Sequence, residues 1–155
     1  MPWLWLGAAV LLVVFRTLPF AWWGTLAFDA DQAVVGLMAK LIAEFRAFPV
    51  YQYALSYVLV VSAYVTAPFM WVFGPTVFAL KLPLLCMNVA VGVALVLAVV
   101  RTGLTPAVAL LVSLPVLMPA VVTNAGLMDA LGMTVEPLVF VLALWYARRT
   151  TGIIP

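Results

Sequence analysis

Residues 82–100 run from Lys81 to Arg101 without one charged side chain. A run of that length approaches the ~20 apolar residues a helix needs to cross a ~30 Å hydrocarbon core. Lipid accepts only backbones that satisfy their own hydrogen bonds, so such a run constrains the fold strongly. A second run, 2–23 (PWLWLGAAVLLVVFRTLPFAWW), carries Trp3, Trp5, Trp22 and Trp23 at its ends, where an aromatic belt would sit. A third covers 105–123, with Pro115 and Pro119 expected as bends. A fourth begins at Pro137 and stops at Arg148-Arg149. Composition agrees: 68% of the 155 residues are hydrophobic, 8% are charged, and the mean hydropathy is +1.29. Soluble domains carry about 25% charged residues, and a transmembrane barrel would alternate apolar and polar positions. The sequence therefore predicts an all-α, polytopic helical membrane protein with about four transmembrane helices. The N-terminus lacks a basic region ahead of its apolar stretch, so it reads as a retained first helix.

Several chemistries are excluded early. A net charge of +2 gives no basic footprint for nucleic acid. There is no histidine, the commonest general base and metal ligand. Cys86 stands alone in an apolar run and is expected to be a small buried hydrophobe. The phosphate-cradling and zinc-protease motifs of soluble enzymes are absent.

The stretch FDADQAVVGLMAKLIAEFRAFP (28–49) breaks the apolar pattern and holds Asp29, Asp31 and Glu44. Val34, Val35, Met38, Leu41, Ile42 and Phe45 fall on one helical face, with Gln32, Gly36, Lys40 and Glu44 opposite. That predicts an amphipathic helix over 31–46, lying at the membrane surface. Residues 52–73 leave two readings open. They are long enough to span, yet carry tyrosines, hydroxyl groups and Pro68. If they do not cross, Arg101 and Arg148-Arg149 share one side of the membrane and all five acids share the other. The positive-inside rule then makes the arginine loops cytoplasmic.

Asp29 and Gln32 have the spacing of a capping box, and Asp31 in the first turn suits the helix dipole. The pair has functional uses as well. Two acids on one short turn can hold a divalent cation or a cationic group, and one acid can deprotonate an incoming nucleophile. Lys81 and Arg16 could offset the charge of a lipid phosphate. Arg16 lies inside the first span, where a charge costs about 2.5–3.5 kcal/mol, so it should snorkel or face a polar cavity.

Three segments, FDADQAVVGLMAKLIAEFRAFPVYQY, FGPTVFALKLP (73–83) and VEPLVFVLALWYARR (135–149), resemble the N-terminal module of the GT-C glycosyltransferases. The closer likeness is to the bacterial branch similar to dolichyl-phosphate-mannose protein mannosyltransferases and the lipid A aminoarabinose transferase. It extends over roughly 10–149. The resemblance implies one transmembrane domain over 1–155, with an extracytoplasmic loop over 24–80 that carries juxtamembrane helices. It implies a multi-pass protein of the bacterial inner (plasma) membrane that transfers sugar from a polyprenyl-phosphate donor to an extracytoplasmic acceptor. Asp31-Gln32 falls on the family's acidic pair, usually Asp-Glu. This makes Asp31 the expected base and Asp29 the second choice, while Gln32 cannot act as a base. Lys81, in LKLP, matches a basic position. Glu136 matches an acid at the start of a later helix, and Arg16 and Gln32 join them as substrate-binding candidates. A divalent metal ion, if used, would sit on Asp29 and Asp31. The family's members are much longer, so the chain is expected to be a truncated module whose missing C-terminal part is a partner. Two other classes stand beside this reading. One is a small transporter or channel with these charges along its path, and the other is a non-catalytic membrane subunit.

Overall fold

The computed structural model describes residues 2–23, 28–53, 55–120, 123, 125 and 127–129. Among them the chain forms five helices and one hairpin. Their order is α1 (Pro2–Trp22), α2 (Ala30–Ala43), β1 (Tyr51–Gln52), β2 (Leu55–Leu59), α3 (Val61–Phe73), α4 (Val77–Val100) and α5 (Pro106–Leu117).

Two of these helices, α1 and α4, are long and apolar enough to cross a membrane. At ~1.5 Å per residue they rise about 32 and 36 Å, against a ~30 Å hydrocarbon core. Large apolar side chains cover the outside of α1, with Trp3, Leu4, Leu11, Phe15 and Trp22 all exposed. An exterior of that kind suits hydrocarbon better than water. The helix α4 starts earlier than the apolar run suggests. Thr76 caps it, its side chain accepting from the Ala79 N–H at 3.1 Å, so Lys81 and Pro83 lie within the helix rather than ahead of it. Cys86 is exposed on α4, which corrects its expected burial.

Residues 52–73 are neither a spanning helix nor a purely helical surface segment. Tyr51 pairs with Leu59 and Gln52 with Leu55, antiparallel, and Val60 N–H extends the pairing to Val50 C=O at 3.2 Å. The helix that follows, α3, has 13 residues, a rise of about 20 Å, short of a crossing. The run 105–123 also breaks. Its helix, α5, has 12 residues and stops at Leu117. Met118 leaves the helical region (φ −131°, ψ 64°) ahead of Pro119, whose ring disfavours an α conformation in the residue before it. The expected last helix, from Pro137 to Arg148-Arg149, lies outside the described residues.

The helix α2 keeps most of its expected shape. Asp29 caps it, Asp31 sits in its first turn, and Lys40 in its last. One residue is on the other face. Gln32 is buried with Val35, Met38, Ala39 and Ile42, not on the polar side with Lys40 and Glu44. Positions 32, 35, 39 and 42 recur at three- and four-residue steps, which stack on one side of a helix. The C-terminus closes as a Schellman motif, with Phe45 N–H to Ile42 C=O at 3.0 Å and Arg46 N–H to Leu41 C=O at 2.9 Å. The motif needs a left-handed residue, and Phe45 fills that position at φ 56°. An L-residue there costs roughly 1–2 kcal/mol. Phe45→Gly should therefore raise stability by about 1 kcal/mol, read from the thermal midpoint in detergent. A fall would mean that the Phe45–Phe48 ring contact at 6.3 Å outweighs the strain.

Two apolar clusters hold these elements together. One joins Ala21 of α1 to Val35, Met38 and Ile42 of α2, Ala63, Ala67 and Met70 of α3, and Leu80 and Leu84 of α4. The other joins Ala9 and Val13 of α1 to Val96 of α4 and Leu110 and Leu117 of α5. Between them along α1 come Arg16 and Thr17, and between them along α4 comes Asn88. The two long helices therefore meet through a polar layer with an apolar core on each side.

Candidate functional site

The buried polar residues lead to this layer. Thr17 satisfies itself, its hydroxyl donating to Val13 C=O at 2.7 Å one turn back. Arg16 and Asn88 reach across the helices instead. The guanidinium donates from Nη2 to Asn88 Oδ1 at 2.9 Å. The Asn88 amide nitrogen donates to Leu84 C=O at 2.9 Å and to Leu127 C=O at 3.0 Å, and lies 3.8 Å from the Met128 sulfur.

Lys81 is fully buried, two helical turns before Asn88 on the same side of α4. Its ammonium donates to Met128 C=O at 2.7 Å. Burial works against that charge most strongly, and the carboxylates of Asp129 and Asp29 offset part of the cost. A buried ammonium is tolerated only with partners of this kind. Lys81 and Asn88 thus hold adjacent carbonyls of the 127–128 backbone. Removing the ammonium takes away a charge-assisted bond worth ~2 kcal/mol. Lys81→Met should lower stability by about that amount, read as a drop in thermal midpoint in detergent. An unchanged midpoint would show that the clamp does not hold the fold.

The first-loop acids sit at the head of α2. Asp29 is exposed, and its Oδ1 accepts from Gln32 N–H at 2.9 Å, the bond expected of a cap. Asp31, also exposed, lies in the next turn. Of the two, Asp29 is the one that acts on Lys81. Gln32 points into the core and is not on the exposed side with the acids. Glu136 lies outside the described residues. Among the described residues no three acidic or cysteine side chains gather as a cation site.

A cavity of ≈ 250 Å³ opens on the Arg16 side of the layer. Arg16, Asn88 and Thr123 line it with Gly92, Leu117 and Leu127 among the apolar walls. Asp29 and Asp31 do not line it. The structure thus sets Lys81 on the Met128 carbonyl, within electrostatic reach of Asp129 and Asp29, and Arg16 with Asn88 at another place, with the 127–128 backbone joining them. Sequence reasoning did not reach Asn88 or Asp129 as site residues. A signal existed for Asn88, an isolated carboxamide within the charge-free run 82–100. Comparison with family models, curated proteins and solved structures finds no match to this chain.

Proposed function

We propose that the chain is the acceptor-activating module of a multi-pass glycosyltransferase in the bacterial plasma membrane, of the GT-C type, using a polyprenyl-phosphate-linked sugar. The observation that carries this reading is the neighbourhood of Lys81. A cation buried near the start of a span-length helix donates to the Met128 carbonyl and lies within the field of Asp29, the cap of α2, whose first turn carries Asp31. Sugar transfer from a lipid phosphate needs both parts. Asp31 takes the proton from the acceptor hydroxyl or amine. The freed electron pair attacks the anomeric carbon from the face opposite the phosphate, and the anomeric C–O bond breaks with inversion. The polyprenyl phosphate leaves with the bonding pair, and Lys81, the cation on the acid side of the polar layer, stabilises its developing charge. Asp29 caps the helix and tunes Lys81.

This reading puts the head of α2, the hairpin and α3 outside the cell, and the 101–105 turn inside. Single cysteines at Ala30, Gly74 and Gly103, in a Cys86→Ser background, test that with a membrane-impermeant thiol reagent. The reading expects labelling from outside at 30 and 74, with 103 protected. It also expects membranes containing the chain to release polyprenyl phosphate from polyprenyl-phosphate mannose when an acceptor is present. Outside labelling at 103 together with 30 separates the acids from each other and removes the proposed centre.

A second reading, a small transporter, is favoured by the Arg16–Asn88 pair deep between α1 and α4, since ionisable groups inside spans mark substrate paths. It expects Arg16→Gln to stop solute uptake and Asp31→Asn to leave it unchanged.

A further inference from the structure

We infer that α3 and the C-terminal end of α2 form a cleft that seats an acyl chain of a bilayer phospholipid, with Phe45 held in a strained conformation as one of its walls. The inference does not use the glycosyltransferase reading. It requires only that α1 and α4 stand in a bilayer.

The helix α3 carries no charged side chain. One face is spent on protein, with Ala63, Ala67 and Met70 in the cluster shared with α2 and α4. The other face presents Val61, Tyr64, Pro68, Trp71 and Val72, all exposed. A helix that is apolar on all sides belongs in a protein interior or in lipid. The helix α2 has no such face to offer, because Val35, Met38 and Ile42 are buried in the same cluster. Contact with lipid at this end of the molecule therefore falls to α3.

Between α3 and the end of α2 opens a cavity of ≈ 370 Å³, and no charged residue lines it. Phe45, Phe48, Tyr64 and Trp71 supply its aromatic walls. Phe45 is 77% exposed and left-handed at φ 56°, where glycine is the usual residue. A side chain that strains the backbone and stays outside the core has a use beyond the fold. Trp71 marks the depth. It lines the cleft on one side and a smaller cavity with Lys40 and Glu44 on the other. An indole between apolar surface and charge is the arrangement of a membrane–water boundary. Aromatic rings tie this level to the ends of both span-length helices. Phe73 of α3 meets Phe78 of α4 edge-on at 6.3 Å, and Phe78 meets Trp22 of α1 at the same distance. The cleft is thereby continuous with the apolar exterior of the spans.

The test uses the full chain in a Cys86→Ser background, with a fluorophore on one cysteine. Val61→Cys and Val72→Cys report on the outer face of α3, and neither position lines the cleft. Leu11→Cys is the span control and Thr102→Cys the loop control. In phosphatidylcholine nanodiscs, a nitroxide on the phospholipid acyl chain should quench 61 and 72 as it quenches 11, while iodide reaches only 102. In detergent micelles, titration with the same nitroxide phospholipid should quench 61 saturably. Phe45→Gly should raise the half-saturating lipid fraction about fivefold, the scale of one aromatic contact, although it raises the thermal midpoint. Phe45→Asn, also tolerated in the left-handed region, carries this arm if the glycine variant fails to fold. Unchanged half-saturation in both variants overturns the cleft, leaving α3 in contact with lipid but without a seat. Iodide access at 61 and 72, with 11 protected, puts the face in water and overturns the proposal. Shielding of 61 and 72 from both quenchers means that protein, a second copy or a partner, covers the face, and overturns it equally. Iodide access at 11 removes the bilayer from α1, and the proposal with it.

Discussion

On the proposed glycosyltransferase reading, Asp31→Asn is expected to reduce sugar transfer by about 10²–10⁴-fold, the usual contribution of a positioned base, while α2 stays folded. The reason is a division of labour at the head of that helix. Asp29 holds the cap through the Gln32 N–H at 2.9 Å. Asp31 is exposed in the first turn and contributes to the helix only through the dipole, roughly 0.3–1 kcal/mol. Asparagine keeps the size of aspartate and loses the basicity. The control is Asp29→Asn. Asparagine caps a helix about as well as aspartate, so this change removes a charge near Lys81 and leaves α2 in place. It is expected to slow transfer by less than about tenfold, a loss of under about 1.4 kcal/mol. Release of polyprenyl phosphate from the mannosyl donor measures both. The opposite order, with Asp29→Asn the deeper loss, would move the base to Asp29, the acid that acts on the buried ammonium.

Local signals in the sequence gave a good account of local structure. Both span-length helices follow from long apolar runs, the first broken only by Arg16. The Asp29 cap follows from the spacing of Asp29 and Gln32, and the 74–76 turn follows from Gly-Pro, with Gly74 at φ 76°. Features set by distant contacts were not legible. The hairpin comes from YQYALSYVL, whose aromatic and apolar residues fit a strand or a helix start, and only the pairing of Tyr51 with Leu59 decides between them. Gln32 was assigned to the polar face by its chemistry, and its helical position beside Val35 and Ile42 buries it. The charge-free run begins at residue 82, so Lys81 reads as a flanking charge and Pro83 as near the start of the helix. The Thr76 cap places both inside α4. The bond from Lys81 to the Met128 carbonyl joins residues 47 positions apart in sequence, and no local pattern encodes it. The resemblance supplied the candidate acids, and the fold supplied Asn88.

Gly92→Leu should leave no folded protein in detergent, a loss above about 4 kcal/mol, the level that only a few mechanisms reach. Glycine in mid-helix costs roughly 1 kcal/mol against alanine, so its place in α4 calls for a reason. A Cβ at this position would meet Leu117 Cδ2 of α5 and Val13 Cγ2 of α1, each at 3.0 Å. Both partners belong to the second apolar cluster, and Leu117 also lines the Arg16 cavity. Three helices therefore converge where one of them has no side chain. Alanine asks both neighbours to yield by a few tenths of an ångström and brings a helix-propensity gain of about 1 kcal/mol. Overpacking costs about 1–3 kcal/mol, so Gly92→Ala should come out near neutral to about 2 kcal/mol destabilising. Leucine adds three further carbons with nowhere to go, and must push α1 or α5 off α4. The crowding account makes a sharper demand on the pair. Val13→Ala restores room at Gly92, so Gly92→Ala should cost less in that background than alone, a coupling of 0.5 kcal/mol or more in a double-mutant cycle. Strict additivity, or a Gly92→Leu protein that elutes monodisperse with the wild-type thermal midpoint, would mean that α1 and α5 do not close on α4 here. The cavity wall carrying Arg16 would then lack the scaffold described for it.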